Sequence, residues 1–170
     1  MIVLVPIFAT AAAAGLLARG LFAGYPSRRV PDGLLNAKEQ AIVAACADTL
    51  FPAGGPIPLS GTEAGLVEYM EGYFERLPSQ QRVLVRLLFW FTEHGPWVFG
   101  PAPVRFTSLD EKSRLRVLES MRTSPIYFRR IAFLSMRTML SMGYLAHPEV
   151  ARAMGMTADS DPFRHEAEAA

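Results

Sequence analysis

The side chains best suited to chemistry are an adjacent acid and imidazole, Glu93 and His94. They open the stretch Glu93-His94-Gly95-Pro96-Trp97-Val98-Phe99-Gly100-Pro101, which Arg105-Phe106-Thr107 follows closely. An imidazole exchanges protons near neutral pH, and a nearby carboxylate or guanidinium can orient it. His94 and His147 each sit beside a proline-containing break, where a histidine serves either as a general base or as a structural helix end. No G-x-S-x-G turn supplies a nucleophile to complete a catalytic set. The glycines and prolines predict a loop between two helices, and its Trp97, Phe99 and Phe106 must dock on something. Three readings follow. The stretch is a contact surface built from Glu93, His94, Trp97, Phe99, Arg105 and Phe106, since interface hot spots favour Trp and Arg. Or it is an aromatic plug on its own bundle, with Arg105 pairing Glu93. Or Glu93, His94 and Arg105 form a self-sufficient enzyme site.

Other chemistry is sparse. Glu68, Glu71 and Glu75 share one helix face, but a di-iron bundle needs Glu-x-x-His on two helices. A solvated acidic face is the expectation. The single cysteine, Cys46, forms neither an internal disulfide nor a thiolate cage, and it falls on an apolar helix face. There is no haem-binding Cys-x-x-Cys-His, glycine-rich phosphate loop or dinucleotide fingerprint, so no catalytic, cofactor or metal residue is assigned to this chain. The net charge of +1 gives no field for nucleic acid. Residues 60–75 hold four acids and no base, whereas residues 105–137 carry an excess of five positive charges. These regions either pair within the body or offer the basic face to an acidic partner.

The elements that position these groups read as helices throughout. Asn36 with Glu39 forms a capping box for a helix lined by Ile42, Ala45, Cys46, Thr49 and Leu50, which Pro52 stops. Ser60 with Glu63 repeats the pattern ahead of a helix ending near Arg76, with Leu66, Tyr69, Met70, Tyr73, Phe74 and Leu77 inward. A third helix, roughly 80–94, turns Val83, Leu84, Leu87, Leu88 and Phe91 inward. Phe89 and Trp90 extend its apolar surface nearly all round, which implies deep burial or a partner face. Thr107-Ser108 caps a fourth helix through about Arg122. Ser124-Pro125 begins a fifth, apolar on most faces and central, which Gly143-Tyr144 breaks after about Met142. A short helix starts at Pro148. No run alternates with period two, so the expectation is an all-α bundle of five to six helices preceded by an N-terminal hydrophobic helix. Residues 1–25 are that anchor or signal segment, 26–36 a linker, 37–156 the helical domain and 157–170 a polar tail.

Residues 2–18 carry no charge. With Ile2, Leu17 and Phe22 in the apolar run, Arg19 snorkelling and Tyr25 as an aromatic belt residue, the segment reaches spanning length. The rival reading is a cleaved signal peptide. Arginines follow the segment and no basic residue precedes it, which by the positive-inside rule puts the body in the cytoplasm.

Several stretches, taken in order, resemble the gluconate 2-dehydrogenase subunit 3 family. They are Ala47-Asp48-Thr49-Leu50-Phe51-Pro52, Ser60-Gly61-Thr62-Glu63-Ala64-Gly65, Glu93 to Gly100, and Arg105-Phe106-Thr107. Gly143-Tyr144, His147-Pro148-Glu149-Val150 and Met154-Gly155 complete the set. The resemblance implies a non-catalytic accessory subunit beside a large dehydrogenase of the glucose–methanol–choline type. That partner would carry FAD, oxidise a sugar, a sugar acid, an alcohol or a sterol-like substrate, and pass electrons to a cytochrome or quinone. It also implies a periplasmic location through a twin-arginine signal. This chain departs there: Arg28-Arg29 follows the apolar run instead of preceding it, which leaves open a subunit that tethers its dehydrogenase to a membrane. A membrane-anchored helical adaptor unrelated to redox work is the remaining alternative.

Overall fold

The computed structural model describes residues 24–100 and 103–156, and these form an all-α body without strands. The helices are α1 (Ala37–Leu50), α2 (Leu66–Arg76), α3 (Ser79–Phe99), α4 (Glu111–Arg122), α5 (Tyr127–Ala146) and α6 (Pro148–Ala153), with a 3-10 turn at Phe106–Ser108 before α4. Helix α1 starts as the sequence says. The Asn36 side chain accepts from the Glu39 N–H at 3.0 Å, and the Glu39 carboxylate accepts from the Asn36 N–H at 2.9 Å. It is buried on most of its circumference, because α2, α3, α4 and the 3-10 turn all pack around it. Helix α5 forms the second hub, against α2, α3, α4 and α6. The core between them includes Ile42, Met70, Phe74, Phe89, Met136 and Leu140. Cys46 lies fully inside it, and burial raises its thiol pKa, so the residue behaves as a small hydrophobe.

Specific joints fix how the helices meet. Asp48 Oδ1 accepts from both the N–H and the hydroxyl of Thr62, each at 2.8 Å. Phe51 stacks on Tyr144 with ring centroids 4.1 Å apart, and the Tyr144 hydroxyl donates to the Leu59 carbonyl at 2.6 Å. Gly61 lies so close to α1 that a Cβ there would stand 2.5 Å from the backbone carbonyl of Ala47. Backbone inside a packed helix has nowhere to move. Gly61→Ala is therefore expected to destabilise the protein by about 2–3 kcal/mol, lowering its thermal midpoint as followed by helical circular dichroism.

Several boundaries differ from the sequence reading. The Ser60–Glu63 box forms, with the Ser60 N–H donating to Glu63 at 2.7 Å, but it closes a turn, and α2 starts only after Gly65 at φ +69°. Helix α3 does not stop at residue 94; it runs through Gly95-Pro96 to Phe99. A residue before proline normally resists helical geometry because its Cβ meets the ring, and Gly95 has none. The Gly100 N–H then closes the last turn on the Pro96 carbonyl at 2.9 Å. Asp110, not Thr107-Ser108, caps α4 by accepting from the Ser113 N–H at 2.9 Å. Ser124 does not cap α5, which begins at Tyr127. Gly143 does not break α5 but lets it cross α2 closely, since a Cβ there would collide with Tyr69 and Leu66.

Burial also departs from expectation. Glu71 belongs to no solvated acidic face: it is buried, accepting from the Leu35 N–H at 3.1 Å and from Gln40 Nε2 at 2.8 Å. That bond, with Arg29 and Val30 N–H groups donating to Gln40 Oε1, docks residues 29–35 onto the body. Several arginines of 105–137 are used locally. Arg114 donates to the carbonyls of Phe106 and Thr107, Arg122 pairs with Glu119, and Arg130 donates to the Ser124 carbonyl. Among the described residues no helix is long and apolar enough to cross a membrane. Ile2, Leu17, Arg19 and Phe22 of the hydrophobic segment, and the 157–170 tail, lie outside the described residues.

Candidate functional site

Helix α3 carries the residues that the sequence singled out, and it splits them into an interior and an exterior set. Glu93 is completely buried. Its carboxylate accepts three hydrogen bonds: from the Tyr25 hydroxyl at 2.7 Å, the Thr107 hydroxyl at 2.7 Å and the Thr107 N–H at 3.1 Å. It thereby ties the N-terminal segment and the 3-10 turn to the middle of the bundle. Phe106 is also fully buried. Of the expected contact surface, Glu93 and Phe106 are thus interior groups of the described chain. Tyr25, expected as a belt residue, is docked on the body under Arg105, whose guanidinium lies 4.5 Å from the ring centroid. Burial and the bond to Glu93 push the Tyr25 hydroxyl up to about 12, so it stays a donor at all ordinary pH.

His94 is half-buried beside this cluster. Lys38 Nζ lies 2.9 Å from its Nε2, so the ring accepts there in its neutral form. Burial and then the Lys38 charge lower the imidazole pKa from its ordinary 6.5. A depressed basic pKa means that the unfolded chain binds the extra proton more readily, so stability falls as pH drops through and below 6.5. The urea midpoint is expected to be lower at pH 5.5 than at pH 7.5, with a smaller difference in His94→Gln. The hollow of about 360 Å³ beside His94 is otherwise lined by Trp90, Phe91, Gly95, Trp97, Val98 and Phe99, with no hydroxyl or thiol nucleophile. Among the described residues the Glu93 carboxylate is engaged by Tyr25 and Thr107.

The exterior set is aromatic and aliphatic. Trp97 and Phe99 are partly exposed at the end of α3, and Phe99 is held between Phe91 and the buried Arg129, whose guanidinium lies 4.4 Å from its centroid. Further back on α3, Val83, Leu84 and Leu87 face outward instead of inward, with Leu84 65 % exposed. The inward positions are Leu88, Phe89, Thr92 and Glu93. Facing them across a trough, α5 presents Phe128, Ile131, Leu134 and Met142, all exposed. The α3–α5 trough encloses about 630 Å³ and is almost wholly apolar. Large contiguous exposed apolar surface is where protein–protein interaction sites are commonly found.

Sequence reasoning missed the trough's principal residues, Leu84, Leu87, Leu134 and Met142. The signal was present: α3 and α5 are apolar on too many sides for one core to cover. A helical wheel alone does not say which side is left over.

The residues carrying the family resemblance converge on the structural joints. Asp48 meets Thr62, Gly61 meets Ala47, Phe51 meets Tyr144, and Glu93 meets Thr107. The family model described as Gluconate 2-dehydrogenase subunit 3 matches residues 37–156, from the first residue of α1 to the end of the described chain. No curated protein and no solved structure matches.

Proposed function

Because the chain belongs to the gluconate 2-dehydrogenase subunit 3 family, we propose that it is the non-catalytic small subunit of an FAD-dependent dehydrogenase. On this reading it binds and stabilises the large subunit, which oxidises a sugar, a sugar acid or an alcohol and hands electrons to a cytochrome or quinone. The hydrophobic segment 1–25 tethers the pair to a membrane. The observation that carries the reading is the open trough between α3 and α5, with Leu84, Leu87, Phe128 and Leu134 left in water. Each such side chain gains about 1.5–3 kcal/mol when fully buried. Part of that gain offsets the loss of translational and rotational freedom on association. Both walls of the trough are helices of the folded body, α3 and α5, packed against each other, so little further ordering is needed on docking.

Isolating the full-length chain from its native membrane in mild detergent tests this. The expected result is a yellow, reducible flavoprotein in fixed ratio, identified by its visible spectrum and by mass spectrometry. A colourless chain that comes down alone, or with partners lacking flavin, refutes the reading.

A further inference from the structure

The outer face of α3 beyond the trough is a separate surface. Trp90 and Trp97 are seven residues apart, on one stripe of the helix, and they are 55 % and 38 % exposed. Val98 beside them is 75 % exposed. Glu93, which holds Tyr25 from the inner side of α3, lies three residues after Trp90 and four before Trp97, so the Tyr25 latch is within about a turn of both along the helix. Gly24, beside Arg105 at φ +87°, is the residue before that latch. The described chain thus begins at Gly24 and Tyr25, within about a helical turn of the two tryptophans along α3, and the apolar residues 2–18 precede that point in sequence. The Tyr25 latch makes the junction a fixed one: its hydroxyl is bonded to a buried carboxylate and its ring is covered by a guanidinium.

We infer that this face, Trp90, Trp97 and Val98, rests in the headgroup region of a lipid bilayer, with Tyr25 holding the body down against it. Indole rings suit that depth because they are amphipathic. The exposed Arg28 and Arg29, just past the latch, suit anionic headgroups. The inference rests on residues 1–25 being a membrane segment and not on the flavoprotein partner.

Trp90 and Trp97 are the chain's only tryptophans, and none lies in residues 1–25, so their fluorescence reports this face alone. The test uses the full-length protein reconstituted into phosphatidylcholine–phosphatidylglycerol vesicles, with and without bromine on the acyl chains. Emission is expected to fall at least twofold in the brominated vesicles, and Trp90→Phe and Trp97→Phe should each retain quenching of the remaining indole. Unchanged emission together with quenching by aqueous acrylamide shows a face turned to water and overturns the inference. Unchanged emission with shielding from acrylamide shows a face covered by protein, and overturns it equally. Neither result bears on flavoprotein capture, which is read separately from co-purified flavin.

Discussion

Replacing Leu87 and Leu134 together by aspartate is expected to strip the flavoprotein from the purified complex. The two leucines stand on opposite walls of the α3–α5 trough, both more than half exposed in the isolated chain. Docking a partner on them would trap a carboxylate in an apolar contact with no counter-charge, and an unpaired buried charge is among the costliest changes an interface can suffer. Each single variant should weaken association by about 10- to 100-fold, equivalent to about 1.4–2.8 kcal/mol, and the double variant should abolish it. The fold itself should barely respond, since substitutions at exposed positions usually shift stability by about 0.5 kcal/mol or less. Flavin absorbance per mole of captured chain, alongside the urea midpoint of the chain alone, separates the two effects. A parallel loss of stability would place these leucines in the core, contrary to their exposure.

The largest effect on folding is expected at Glu93. Removing its carboxylate in Glu93→Ala leaves the Tyr25 hydroxyl and both Thr107 donors, all part-buried, without their acceptor. A donor left without its partner costs about 1–3 kcal/mol; three at the low end of that range, with the cavity left by a fully buried side chain, give an expected loss of about 3–5 kcal/mol. Glu93→Gln keeps the shape and one acceptor oxygen, and its cost should be about half as large or less. Tyr25→Phe removes one bond and should cost about 1 kcal/mol. Urea unfolding of the full-length chain in detergent, followed by helical circular dichroism, orders the three. The order Glu93→Ala, Glu93→Gln, Tyr25→Phe is the signature of a structural joint. A Glu93→Ala protein of normal stability that had lost a catalytic activity would instead return Glu93 to the role of an active-site acid.

Much of this architecture was legible in the sequence, because helices announce themselves through local rules. The Asn36–Glu39 box and the Ile42, Cys46, Thr49 stripe gave α1 correctly, and Pro148 gave α6. Two of the misreadings fell at glycine. Gly95-Pro96 looks like a break, yet the missing Cβ at residue 95 removes the clash that would end the helix, and Phe99 gains its contacts with Phe91 and Arg129 only if α3 continues. Gly143 looks like a terminator, yet its role is the close crossing of α5 over Tyr69 and Leu66. Both decisions depend on residues distant in the chain, which no local window contains.

The candidate site was legible as an aromatic, charged stretch but not as two separate surfaces. Sequence placed Glu93, His94, Trp97 and Phe106 together; three-dimensional packing sends Glu93 and Phe106 inside and leaves Trp97 outside. Glu71 shows the same limit, since its periodicity with Glu68 and Glu75 suggested a solvated face while Leu35 and Gln40 draw it into the interior. The stretches that carry the family resemblance prove to be joints between helices.

The central claim, that the α3–α5 trough receives the large flavin-bearing subunit, is tested most directly by photo-crosslinking. A benzophenone amino acid is placed at Leu134 in the trough and, separately, at Glu149 on the exposed side of α6. The complex is irradiated in its native membrane, and the adduct is identified by mass spectrometry. The account predicts a covalent adduct from Leu134 to the flavoprotein and none from Glu149. An adduct from Leu134 only to lipid or to a second copy of this chain, while the flavoprotein still co-purifies, would contradict it.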